Sequence, residues 1–146
     1  MFEVKECSDP AEIKELFVEY SQLKGAESCF VSFDRELSDL ASFYADGLLL
    51  VGYENGYPVG SLAVKRIDKR TGEAKRLYIK PDHRGKGYSR IMLNAMLDKC
   101  RDLGIEEIRL STKPSVMPVA YELYKKMGFT QVNDSDGVVE MRLGLA

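Results

Sequence analysis

A mixed β-sheet of about seven strands with helices on both faces is the fold class this sequence predicts, an α/β (mixed α+β) arrangement. Three observations predict it. Stretches with strand and helix periodicity follow one another as β, two helices, a three-strand meander, helix, strand, helix and two strands. Asn55-Gly56 stands between two strand-like runs, where a tight type I′ turn requires positive φ at both central residues. The third is size: 146 residues with 45% hydrophobic content build one core and leave no room for a second, so 1–146 reads as a single domain.

Phe2 to Cys7 alternates apolar and polar side chains as a half-buried strand does. A helix start follows at Ser8-Asp9-Pro10-Ala11-Glu12, with Asp9 as cap, Pro10 at the first helical position and Glu12 closing a capping box. Its apolar stripe, Ile13, Leu16, Phe17, Tyr20 and Leu23, ends at Gly25. A second stripe, Leu37, Leu40, Ala41 and Tyr44, predicts a shorter helix ending at Gly47. Leu48 to Glu54 and Tyr57 to Arg66 form the hairpin around Asn55-Gly56; Lys69 to Gly72 is a polar turn, and Glu73 to Ile79 the next strand. Gly87 to Leu103 carries Met92, Leu93, Met96, Leu97, Cys100 and Leu103 at helical spacing, with Gly104 as its stop. Glu107 to Ser111 is a short strand and Pro118 to Met127 a helix ended by Gly128. Phe129 to Val132 and Val138 to Leu143 are a last pair of strands around 133–137.

Charge and cysteine usage exclude several classes. With 21 basic and 23 acidic side chains the net charge is −2, so no global basic footprint for nucleic acid or an anionic membrane exists. Three cysteines and one histidine, without ligand spacing, indicate neither a disulfide framework nor a metal site. A reducing cytoplasm is the expected compartment. Residues 1–9 do not look like a targeting segment, and no run approaches the ~20 apolar residues that span a bilayer.

The most informative stretch is Glu73 to Ser89. A strand runs into Lys80-Pro81-Asp82-His83, and Arg84-Gly85-Lys86-Gly87-Tyr88-Ser89 then opens a long helix. Two glycines let the main chain turn tightly, and the free N–H groups at a helix start point at negative charge, so a pyrophosphate would sit well there. An ordinary turn is the other reading of two glycines at a helix start. The spacing is too short for a Walker loop and the glycines too few for a dinucleotide fingerprint.

Glu-x-Lys-Arg-Leu-Tyr-Ile-x-Pro running into Arg-Gly-Lys-Gly-Tyr-Ser, with Ala120, Leu123-Tyr124 and Gly128-Phe129 downstream, closely resembles the two central motifs of the GNAT superfamily of acetyl-CoA-dependent N-acetyltransferases. The order of elements resembles the family too, so the likeness covers essentially the whole chain, strongest at Glu73 to Leu97 and at Ala120 to Phe129. It implies a GNAT-like fold, acetyl-CoA (coenzyme A) as cosubstrate, and a small-molecule amine or amino acid as acceptor. Dimers are frequent among relatives, which leaves room for a homodimer. The resemblance implies that Arg84, Gly85, Lys86, Gly87, Tyr88 and Ser89 hold the coenzyme pyrophosphate and that the main chain of Leu77, Tyr78 and Ile79 meets the pantetheine arm. Two positions depart from the pattern. Ser89 stands where glycine or alanine is usual, and Met117 where many members carry an asparagine near the coenzyme.

Acetyl transfer to an amine needs a neutral nitrogen, a donor for the carbonyl oxygen and a proton for the departing thiolate. Glu73 lies where relatives with a glutamate base carry it, as base or as anchor for a substrate ammonium; the other reading is a solvated strand edge. Tyr124 matches the tyrosine that relatives place near the coenzyme sulfur as general acid; the other reading is a packed core aromatic. Ile79 N–H is the expected oxyanion donor, freed by a bulge or splay of the strand. His83 has no visible Ser or Asp partner and reads as loop packing, and Cys100 lies on a buried stripe. Lys75-Arg76 is either a solvated strand surface or a holder of a substrate carboxylate. Phe30, Phe33, Phe43 and Tyr44 either pack the core or wall the acceptor pocket. A catalytically silent acyl-CoA-binding sensor or interaction domain is the alternative from another class.

Overall fold

A computed structural model describes residues 1–23 and 33–145. The strands are β1 (Phe2–Glu6), β2 (Leu48–Glu54), β3 (Tyr57–Arg66), β4 (Thr71–Ile79), β5 (Glu107–Thr112), β6 (Thr130–Ser135) and β7 (Val138–Gly144). The helices are α1 (Pro10–Ser21), α2 (Phe33–Ser38), α3 (Leu40–Phe43), α4 (Tyr88–Asp102) and α5 (Pro118–Lys126). All seven strands join one sheet in the order β1-β2-β3-β4-β5-β7-β6. Every neighbouring pair is antiparallel except β4 and β5, which run parallel because α4 carries the chain across between them.

Apolar side chains leave the sheet on both faces. Leu62, Val64 and Ile108 meet Met92, Leu93 and Met96 of α4, while Val51, Ala63 and Tyr78 meet Ile13, Leu16 and Phe17 of α1. That two-sided burial explains why β3 is buried at both parities over Val59 to Val64, with Ser61 the one polar residue among them. Each such Leu, Phe or Met stabilises the fold by about 1.5–3 kcal/mol. No described helix is long and apolar enough to cross a membrane.

Asp9 caps α1 as expected, its Oδ1 accepting from Ala11 N–H at 3.0 Å. Glu12 does something else: instead of closing a capping box, it accepts the Tyr53 hydroxyl at 2.7 Å and so ties α1 to the β2–β3 hairpin. The turn of that hairpin has φ of 50° at Asn55 and 88° at Gly56. The single helix expected over Leu37 to Tyr44 is two short ones, because the Asp39 side chain turns back to accept Ser42 N–H at 3.1 Å and starts a new helix there. The last hairpin is tighter than the sequence suggested. Asn133, Asp134 and Ser135 belong to β6, and Asp136-Gly137, with φ of 53° and 81°, is the turn. The expected stop of the first helix at Gly25 lies outside the described residues.

Candidate active site

One distortion creates the site. Arg76 has φ of 63°, and the pairing of β3 with β4 slips there, between Ser61 and Ala63. On the other edge, β4 pairs with β5 only at Thr71–Glu107, Gly72–Ile108 and Glu73–Arg109. Beyond these three pairs the strands diverge and a cleft opens. Lys80 N–H reaches Val59 O on β3 at 2.9 Å, so strand alternation turns the N–H groups of Ile79 and Leu77 the other way, into the gap.

The gap holds two chambers. The larger, about 810 Å³, runs along Leu77, Tyr78 and Ile79 to Arg84, Gly85, Gly87, Tyr88 and Ser89, with α5 as its far wall. The smaller, about 300 Å³, is lined by Glu73, Lys75, Arg76, Thr112 and Tyr124 among others. Tyr20, Leu77 and Met117 belong to both. Across this junction the Tyr20 hydroxyl donates to Met117 Sδ at 3.1 Å, and the Tyr20 ring stacks on Tyr78 with centroids 5.3 Å apart.

The loop before α4 leaves main-chain donors uncapped. Gly85 and Gly87 have φ of 79° and 80°, no side chain caps α4, and a Cβ added at either glycine would meet no atom within 4 Å. The first N–H groups of α4 are therefore left for a ligand. Arg84 fixes the loop to the strand end by donating from Nε to Ile79 O at 2.8 Å. The Lys86 ammonium turns away from the cleft to Glu54 at 3.2 Å, so only its main chain is available to a phosphate. His83 Nδ1 lies 2.8 Å from the same Glu54 carboxylate, the packing role expected of this histidine. The bonds to His83 and Tyr88, together with Lys86, hold Glu54 down at a pKa of about 2.

In the smaller chamber the Tyr124 ring is buried, and its hydroxyl makes no hydrogen bond to any described residue. Burial, with the nearby Tyr20, pushes its pKa well above the usual phenol value, so it stays protonated throughout the neutral range and is a proton donor only. Glu73 is 38% exposed and lies 3.9 Å from the Lys75 ammonium. Lys75 shares the face of Glu73 by strand alternation, and the slip turns Arg76 to the same side, toward Glu36.

A model of the acetyltransferase (GNAT) family matches residues 11–129. The chain belongs to the GNAT acetyltransferase family. With the family comes the acyltransferase class, and a relative agrees: a protein of Schizosaccharomyces pombe named as an uncharacterized N-acetyltransferase is 31% identical over 152 residues, covering 98% of this chain and 93% of that protein. Among solved structures, a GNAT acetyltransferase of Staphylococcus aureus superposes with TM-score 0.81 at 15% identity over 100% of both chains. PaiA N-acetyltransferase of Thermoplasma acidophilum, solved in complex with coenzyme A, superposes with TM-score 0.76 at 19% identity over 99% of both. These two likenesses are of fold.

The wall of the smaller GNAT chamber rests on an ion pair that sequence reasoning missed. Arg76 donates to Glu36 of α2 from Nε at 3.0 Å and from Nη2 at 2.6 Å, and Tyr44 donates to the same carboxylate at 2.7 Å. The two charged side chains are 3% and 1% exposed. Nothing in the local sequence marked Glu36, an acid among other polar residues of a short helix. Tyr20 was likewise legible only as one member of the α1 stripe. Removing one partner of a buried pair typically costs about 3–5 kcal/mol; glutamine keeps an acceptor for Arg76, so Glu36→Gln is expected to lose about 2 kcal/mol. Thermal melting checks this, with Tm lowered by roughly 5–8 °C. An unmoved Tm would mean that the pair does not hold the wall.

Proposed function

We propose that this GNAT protein transfers the acetyl group of acetyl-CoA to the amine of a small molecule or amino acid, by direct attack while both are bound. The observation that carries the reading is that the cleft beside the glycine loop and a smaller chamber holding Glu73 and Tyr124 meet at Tyr20, Leu77 and Met117, Leu77 being the shared residue of β4. The loop glycines and the start of α4 fit a pyrophosphate, and Leu77 and Ile79 turn main-chain N–H groups toward the arm that would lie between. Acetyl-CoA supplies an acyl carbon already activated as a thioester.

The chain's own groups do the rest. Glu73 receives a proton from the acceptor ammonium, directly or through water, or holds that ammonium in place. Leu77 N–H, common to both chambers, is better placed than Ile79 to bond the carbonyl oxygen as it gains charge, while Ile79 holds the arm. Attack by the neutral amine forms the C–N bond; as the C–S bond breaks, Tyr124 Oη gives its proton to the sulfur, and the second proton shed by the nitrogen returns through water to the phenolate. Burial makes Tyr124 a weak acid, but the same dry surroundings raise the proton affinity of the thiolate facing it.

The test is a panel of amines and amino acids with acetyl-CoA, read by thiol release and by product mass. Products heavier by one acetyl group, on nitrogen, support the proposal. A Tm raised by acetyl-CoA with no thiol released from any acceptor would leave a silent binding domain instead. Glu73→Gln keeps the shape and removes the proton acceptor, so turnover at neutral pH is expected to fall about 10- to 100-fold, with part of the loss regained at alkaline pH where the amine is already neutral. A pH–rate profile unchanged in this variant would reduce Glu73 to a structural residue.

A further inference from the structure

We infer that the acceptor carries a carboxylate beside its amine, and that Lys75 is the residue that selects it. The inference rests on the acetyl transfer proposed above and names the substrate class of the same chamber. Lys75 and Arg76, neighbours in sequence, have different fates. The Arg76 guanidinium is engaged by the Glu36 carboxylate at 2.6 and 3.0 Å and belongs to the wall. Lys75 lines the chamber with a side chain 23% exposed, and among the described residues its carboxylate contact is Glu73, at the outer limit of an ion pair, 3.9 Å. A cation withdrawn from water with so loose a partner is stabilised by any anion that enters.

Two further features aim the charge. Two ammonium groups approach the Phe43 ring of α3, Lys65 at 3.6 Å and Lys75 at 5.5 Å from its centroid, so Lys65 adds positive potential from the neighbouring strand. Lys65 pairs across the ladder with Glu73 and Ala63 with Lys75, which puts all three charged side chains on one face of the sheet. The Glu73 and Lys75 charges are also separated much as the ammonium and carboxylate of an α-amino acid are, groups joined through a single carbon. An α-amino acid laid against them head to tail sets amine on Glu73 and carboxylate on Lys75. A polyamine would instead bring a second cation toward two lysines, and it is disfavoured by like charge.

The experiment compares L-α-amino acids with their primary carboxamides as acceptors, in the parent protein and in Lys75→Met and Lys75→Arg, reading kcat/KM by thiol release and folding by Tm. In the parent, the acids are expected to exceed their amides by about 10- to 100-fold, as a charge-assisted hydrogen bond would give. In Lys75→Met that ratio is expected to collapse toward one, chiefly through KM of the acids, and in Lys75→Arg to be largely restored. The ratio is the readout because general damage to the chamber lowers both members of each pair together. Acids and amides used equally well by the parent, or a ratio that survives Lys75→Met, would overturn the inference and leave the acetyl transfer standing. No thiol release with acids or amides, while another amine is acetylated, would overturn the inference alone; no release with any amine would overturn both.

Discussion

Gly87→Val is expected to abolish the rise in melting temperature that acetyl-CoA gives the parent. A ligand present at about 100 times its Kd stabilises the folded state by about 2.7 kcal/mol, which in a chain of this size is a shift of roughly 8–12 °C. Valine acts against it twice. The φ of 80° at Gly87 is one that a β-branched residue adopts only at a cost of about 1–2 kcal/mol, so the loop is pulled out of the conformation that presents its N–H groups. Any Cβ there also projects into space the structure leaves open, beside the first turn of α4, where a phosphate would lie. Affinity is expected to fall by more than about 100-fold, the loss of two or more charge-assisted hydrogen bonds. The variant without ligand melts at most a few degrees lower, because no core side chain is touched. Calorimetric scans with and without acetyl-CoA separate the two effects; an undiminished ligand-induced shift would remove the loop from the cofactor site.

Tyr124→Phe is expected to lower turnover about 100-fold while leaving the fold as stable as before. General acid catalysis contributes about 10² to 10⁴, and a thiolate leaves without much help, which points to the lower end. The stability forecast comes from the geometry. The ring packs against Phe129, centroids 5.7 Å apart, and phenylalanine preserves that contact, while the hydroxyl has no described partner to lose. The change in folding free energy is then about 1 kcal/mol or less. A core tyrosine with only a packing role predicts the reverse, a lowered Tm with turnover intact. Both quantities are measured on the same preparation, and full activity would exclude Tyr124 from the chemistry.

What the sequence made legible is what local rules determine. Asn55-Gly56, Asp9-Pro10 and Gly104 sit at the ends of elements and act through backbone conformation or a cap within two residues, so their effects were readable without tertiary knowledge. The positive φ of Gly85 and Gly87 and the uncapped start of α4 were legible for the same reason, since they are main-chain features. Elements whose form depends on a distant partner were not. Glu12 left its capping box for Tyr53, 41 residues away, and Glu36 found Arg76 across 40 residues. Positive φ at an arginine has no sequence signature either; there the ion pair and the Ser61 hydroxyl, which donates to Arg76 O at 2.9 Å, hold a conformation the residue would not choose. The Asp136-Gly137 turn was a local signal passed over in favour of a longer loop.

The short parallel join of β4 and β5 has a mechanical consequence. The sheet consists of two plates, β1 to β4 and β5 to β6, riveted by three residue pairs at one end and free to part at the other. Past Glu73 the facing edges carry N–H and C=O groups that a strand would normally satisfy. The arm of the proposed cofactor, slender and carrying amide groups of its own, would bond to β4 there as an added strand would. With the cofactor in the gap as proposed, the two plates would be joined along their whole facing edges, and the backbone amides of Leu77 and Ile79 are expected to exchange with solvent more slowly when acetyl-CoA is present.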